Sequence, residues 1–182
     1  MHHVKPASAS SAWHVPVAVE DVPEGGEHFD LTADSEIRTA IAKVAGLRDL
    51  PRLEADFDVS RQEIGGLRVV GRVAATVGQT CVVTLEPVAN EVAEEIDLLF
   101  VPQAPNGGSG ATATKADRST YETEPLIGGV VDLGGLATEF LILGLDPYPR
   151  KPGAEFQSPQ ETVAGEGPFS SLAALKKSSN AE

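Results

Sequence analysis

The chain has 182 residues, enough for one ordinary domain with appended flexible segments. Its 27 acidic and 14 basic residues leave a formal net charge of −13, a surface that repels phosphate and argues against a general grip on nucleic acid. Hydrophobic residues at 41% can build a core, no apolar run approaches the roughly 20 residues of a membrane span, and the single cysteine excludes an intrachain disulfide.

The opening run MHHVKPASASSAW lacks the apolar stretch of a secretory signal, so residues 1–11 are expected to be a disordered lead-in to a cytoplasmic protein. Trp13, Val15, Val17 and Val19 then alternate with His14, Pro16 and Ala18, the period of a half-buried strand. Asp34 or Ser35 can cap a helix with Ile37, Ile41 and Val44 on its buried stripe, closing near Gly46. Leu53, Ala55, Phe57 and Val59 alternate with Glu54, Asp56, Asp58 and Ser60 in the cleanest strand pattern of the chain. The QEIGGL stretch from Gln62 to Leu67 reads as a hairpin turn.

A long strand is expected next, with Leu67, Val69, Val73, Ala75, Val77, Cys81, Val83 and Leu85 on one parity. Arg68, Arg72, Thr76, Thr80 and Thr84 share the other, and Gly71 and Gly78 are expected to mark bends or bulges. Glu86 to Asn90 carries the Pro and Asn of a turn. Val92, Ile96, Leu98 and Phe100 form a further inward set, interrupted by Glu94. Residues 101–120 read as a flexible loop, and GGVVDLGG as turns around a short strand. Asp132 can cap a second helix with Leu133, Leu136, Phe140 and Leu143 on one face. That helix ends near Gly144, because the three prolines of LDPYPRKPG cannot continue it. The tail from 153 to 182 is expected to be mostly disordered, with a short amphipathic patch at 168–177. These elements define an α+β domain over residues 12–152: a curved, mainly antiparallel sheet of four main strands, open or barrel-like, covered by two helices.

The chemistry-bearing residues are sparse. Structural zinc needs about four closely spaced ligands, and Cys81 with His2, His3, His14 and His28 does not supply them. A catalytic cysteine needs exposure and a base, whereas Cys81 is expected inward among Val and Leu, with nearby carboxylates raising its pKa. Glu94 and Asp97 could do acid–base work but are expected simply to face water. No cofactor, metal, membrane or small-molecule substrate is expected. Between Arg72 and Lys115 there is no Lys or Arg, while Glu91, Glu94, Glu95 and Asp97 all fall in that gap, a surface suited to a basic partner. DPYPRKPGAEF offers Pro147, Tyr148, Arg150 and Lys151 as a second contact surface, unless Tyr148 and Phe156 pin that segment to the domain. Arg68 and Arg72, on one strand face, are the candidate contacts to RNA.

Taken in order, LEADFDVSRQEIGGLRVVGRVAATVGQTCVVTLEPV, EVAEEIDLLFVP and VDLGGLATEFLILGLDPYPRKPGAEF resemble the YceD family of large ribosomal RNA subunit accumulation proteins. The resemblance covers roughly residues 13–156 and extends to PFSSLAALKK; it is nearest to the alphaproteobacterial branch. It implies a part in accumulation of large-subunit (23S) rRNA and no enzymatic activity. Many members carry Cys-x-x-Cys after the long strand, where this chain has Cys81 and Thr84, and some carry further cysteines near DPYPRKPG. In this branch packing and proline rigidity are expected to join the strand end to the helix end. The resemblance implies a non-enzymatic ribosome-biogenesis factor whose partner is a ribosomal protein or a large-subunit assembly intermediate. Direct rRNA binding through Arg68, Arg72, Arg150 and Lys151 is the first alternative, and an enzyme using Cys81 the second.

Overall fold

The computed structural model describes residues 12–63, 65–102 and 122–156. Of the stretches expected to be flexible or disordered, all of 1–11, most of the 101–120 loop and residues 157–182 of the 153–182 tail, including the patch at 168–177, lie outside them. Two sheets and two helices make up an α+β domain. Strand β1 (Pro16–Ala18) pairs antiparallel with β7 (Val130–Asp132) in a two-stranded ribbon. The main sheet orders β2 (Glu27–Thr32), β3 (Asp49–Arg61), β4 (Leu67–Thr80), β5 (Pro87–Pro102) and β6 (Glu122–Leu126) side by side. All its pairings are antiparallel except β5 with β6, and its two edges do not meet in a barrel.

Period-two burial holds along the central strands. Leu53, Ala55, Phe57 and Val59 of β3 face Leu67, Val69, Val73, Ala75 and Val77 of β4, and Val92, Ile96 and Leu98 complete the same face from β5. Helix α1 (Ser35–Val44) adds Ile41 and Ala42 to this core, and α2 (Leu133–Leu143) adds Leu133, Leu136, Ala137 and Leu141. Both helices therefore cover the inner face, and among the described residues no helix lies on the outer face. The caps form where expected: Asp34 Oδ1 accepts from the Ile37 amide at 2.8 Å, and Asp132 Oδ1 from the Gly135 amide at 3.2 Å.

Several expectations are corrected. The Trp13–Val19 run contributes only β1, outside the main sheet, with Trp13 and Val17 buried. The edge strand β2 was not expected, because EHFDLT reads as polar. Its Phe29 and Leu31 are only half-buried, so its pattern is faint. Val44 and Leu143 are exposed rather than on the helix stripes, since each lies in the last turn, beyond the reach of the sheet. The hairpin turn lies at Cys81–Glu86 rather than Glu86–Asn90, and Pro87 already pairs with Thr80. Leu85, expected inward, sits in that turn with φ +61° and projects into solvent. Val101 and Pro102 belong to β5 rather than to the loop that follows.

Nor does Gly71 mark a bulge. Register runs unbroken through it on both sides, and the shift in β3–β4 pairing falls between Asp49 and Arg52. Gly71 is required because Phe57 lies across it: a Cβ there would come within 2.0 Å of the Asp56 carbonyl oxygen and 2.7 Å of the Phe57 ring. At Gly78 the nearest atoms belong to the Asp49 side chain, which can move. Gly71→Ala should thus cost about 1–3 kcal/mol or more, and Gly78→Ala clearly less, in denaturant unfolding. Equal costs would show that the Phe57 crossing is not a constraint.

Candidate functional site

Two surfaces hold the residues singled out from the sequence: the outer face of the main sheet, and the end of the β4–β5 hairpin. On the outer face, β3–β4 and β4–β5 pairing aligns side chains into rows. Asp30, Asp56, Arg72 and Glu95 form one row, and His28, Asp58, Val70 and Asp97 the next. Arg72 Nε bonds Asp56 Oδ2 at 2.8 Å. Arg68 is bidentate to Asp97, at 3.0 and 2.8 Å. Further along, Arg52 reaches Glu54 at 3.1 Å and Glu91 at 2.9 Å, and Thr76 donates to the other Glu91 oxygen at 2.8 Å.

The structure thus brings the candidate RNA contacts, Arg68 and Arg72, onto the same face as Glu91, Glu95 and Asp97, and each guanidinium is engaged by a carboxylate. The pairs leave their marks on titration. Hydrogen bonds from Thr76 and then Arg52 hold the Glu91 carboxyl below its usual range, and the Arg68 fork does the same for Asp97. Such exposed pairs contribute little to stability, because water and salt screen them. Their effect is to occupy the cations. Glu95 makes no ion pair among the described residues, and Asp30 meets only the His28 ring, at 3.3 Å. The remaining charge of the face is therefore negative. Glu94 does not belong to it: it has inward parity and lies against Gly144 at the end of α2.

At the hairpin end, β4 stops at Thr80 and the chain turns through Cys81–Glu86, closed by Cys81 N–H to Glu86 C=O at 2.9 Å and Leu85 N–H to Cys81 C=O at 3.0 Å. The segment after α2 docks on this turn. The Val82 amide donates to the Pro149 carbonyl at 2.9 Å, Gln79 Nε2 to the Asp146 carbonyl at 2.9 Å, and Lys151 Nζ pairs with Glu86 at 2.9 Å. Pro149 is buried, whereas Tyr148 and Phe156 are exposed at 71% and 75%. The rigid proline is the anchor, and the aromatic rings are not. Pro147 and Arg150 are exposed beside Tyr148.

Cys81 is buried, as its parity suggested, but in the turn and outside the main core cluster. Its Sγ accepts amide N–H groups from Lys151 at 3.3 Å and Thr84 at 3.4 Å. Those donors, the Lys151 amide foremost, lower the thiol pKa to about 6, opposite to the rise expected from nearby carboxylates. Sequence parity missed this because the Lys151 amide arrives from 70 residues away. No imidazole or carboxylate bonds the sulfur, so the base a nucleophilic cysteine uses is not among its described contacts. A zinc-type ligand set does not fit either: among the described residues no group of three or more His, Cys, Asp or Glu could hold a metal ion. Here amide–sulfur bonds, a buried proline and one ion pair join the turn to the helix end.

A protein-family model described as "Large ribosomal RNA subunit accumulation protein YceD" matches residues 69–176. That span takes in β4 from Val69 onward, β5, α2 and the docked segment. No curated protein and no solved structure matches the chain. No helix among the described residues is long and apolar enough to cross a membrane.

Two measurements check this chemistry. His28 hydrogen-bonds Asp58 at 2.8 Å, and with Asp30 also near, its pKa is raised above the ordinary 6.5. The stabilisation it contributes is complete below the unfolded pKa and is lost as pH rises through the folded one. An NMR titration should place the His28 midpoint above 6.5; an ordinary value would show the pair to be absent in solution. For Cys81, the →Val variant removes the acceptor of two amides and should lower the melting temperature more than →Ser, while a chelator should leave it unchanged. Identical melting for the Val variant and the parent would mean that the sulfur bonds contribute nothing.

Proposed function

The chain belongs to the YceD family of large ribosomal RNA subunit accumulation proteins, and from that premise we propose that it supports accumulation or processing of 23S rRNA without catalysing a reaction. It acts in the cytoplasm through protein contacts on assembling large subunits. The observation that carries this reading is the pairing on the outer sheet face. Arg68 and Arg72, the cations best placed to meet phosphate, already hold Asp97 and Asp56, and Glu95 and Asp30 add further negative charge beside them. Binding RNA there would require breaking two ion pairs while bringing phosphates up to carboxylates. A basic ribosomal protein meets no such cost, because every uncompensated charge on the face attracts it.

The segment at the hairpin end adds a second contact. Tyr148 and Arg150 are exposed on a backbone fixed by Pro149 and by the Asp146 carboxylate, which accepts the Tyr148 amide at 2.8 Å. A side chain held on a rigid segment loses little entropy on binding. In this reading Pro147, Tyr148, Arg150 and Lys151 make contact with the same assembling particle as the acidic face.

Purified protein should show no salt-sensitive binding to large-subunit rRNA fragments even at about 50 mM salt, the regime in which phosphate contacts are strongest. Affinity capture from growing cells should recover large-subunit proteins. The combined Glu91→Lys and Glu95→Lys variant should reduce that recovery by about tenfold, equivalent to roughly 1.4 kcal/mol. Tight, steeply salt-dependent rRNA binding that is lost in Arg150→Glu would replace this reading with direct RNA contact.

A further inference from the structure

Strand β2 is an edge of the main sheet, with β3 on one side and, among the described residues, no strand on the other. Its hydrogen-bonding phase follows from one bond. The Ala33 amide donates to the Leu53 carbonyl at 3.0 Å, so residue 33 lies in a bonded pair with β3. Bonded and non-bonded pairs alternate along an antiparallel ladder. Glu27, Phe29 and Leu31 therefore spend their N–H and C=O groups on Val59, Phe57 and Ala55. The N–H and C=O groups of His28, Asp30 and Thr32 point to the open edge, a ready template for a further strand.

The side chains of this edge sort by face. His28 and Asp30 stand on the outer face, in rows with Asp58 and Asp56. Phe29 and Leu31 stand on the inner face, half-buried against the core. The opposite edge of the sheet is different, since β6 contains Pro125, which has no amide to donate. Natural edges are often blunted by charge, most often Lys. Here the charges are carboxylates, on a chain of net charge −13, which repel a second copy and attract a cation.

We propose that the β2 edge accepts an extended segment of a basic partner protein as a sixth strand of the main sheet. Its main chain bonds His28, Asp30 and Thr32. Its Lys or Arg side chains lie over Asp30, Asp56 and Asp58 on the outer face, alternating with apolar side chains that extend the inner layer beside Phe29 and Leu31. This is strand addition, in which main-chain bonds supply affinity and alternate side chains supply selectivity. It rests on the reading above for the partner's origin in the large subunit, but the edge itself is defined by geometry alone.

A capped peptide alternating Lys and Val, titrated into the full chain, tests it with hydrogen exchange as the readout. In the free protein the amides of Phe29 and Leu31 should exchange slowly and those of His28, Asp30 and Thr32 fast; the peptide should slow the second set. Asp30→Pro removes an edge-facing donor while sparing every bond to β3, and should weaken the peptide by about tenfold or more with the fold retained. Should that variant fail to fold, Asp30→Lys replaces attraction with repulsion at the same place and should weaken binding likewise. Protection appearing elsewhere, or binding indifferent to both variants, overturns the proposal. So does a sedimenting dimer whose edge amides are already protected, because the occupant is then a second copy. A peptide that fails to bind, while large-subunit proteins are still recovered from cells, overturns the edge and spares the function. Peptide binding without that recovery supports the edge and removes the function.

Discussion

Everything else in this domain depends on the pairing of β4 along both of its sides. Its 14 residues meet β5 without a break, and β3 from Leu67 to Thr76. Because a one-residue slip would turn every side chain to the opposite face, this double register is strongly fixed by burial. Leu67, Val69, Val73, Ala75 and Val77 all vanish from solvent, and any shift would replace them with Arg68, Arg72 and Thr76. Gly71 is where the two demands are hardest to reconcile, since Phe57 must cross the strand there to fill the core. A side chain at that point would force out either the ring or the Asp56 carbonyl, and the register of β3 would go with it.

The same register writes the surface. Once Leu67–Thr80 is pinned from within, Arg72 has no choice but to stand between Asp56 and Glu95, and Val70 between Asp58 and Asp97. The ion pairs are consequences of the core and not its cause, in keeping with the small energies of exposed pairs. What they change is function. A sheet face with free arginines and one with bonded arginines have the same composition but opposite appeal to phosphate.

How much was legible in the sequence follows from where each signal resides. Local, periodic and inward-facing features could be read: the β3 and β4 faces, the Gln62–Leu67 turn, both helix caps at Asp34 and Asp132, and the odd parity of Glu94. Features decided by partners far along the chain could not. Cys81 reads as one more strand residue until the Lys151 amide is brought to its sulfur, and the amides aligned on it then outweigh the effect of burial. Strand β2 was invisible because an edge strand buries only half of one face, so Phe29 and Leu31 are its whole apolar signal. Arg68 and Arg72 could be placed on one face from parity, but that Asp97 and Asp56 would engage them depends on strand order. Leu85 misled in the other direction: a leucine in phase is a fair core residue unless the strand has already ended, and here it had ended at Thr80.

The hairpin end shows how a joint between two loops can be spread over several separate contacts. Joining the β4–β5 turn to the end of α2 requires several fixed contacts between loops that have no ladder of their own. A metal would supply them through charge and geometry at one point. Here the task is spread over the Val82–Pro149 and Gln79–Asp146 bonds, the Lys151–Glu86 pair and the two amides on Cys81. Proline rigidity contributes from the unfolded side, because Pro147, Pro149 and Pro152 have fewer conformations to lose. A distributed clamp of this kind has no single indispensable atom, so the sulfur tunes the joint where a ligand would make it. It also leaves Tyr148 and Arg150 facing outward, since a segment anchored by its backbone and one buried proline has no need of its neighbouring side chains to hold it in place.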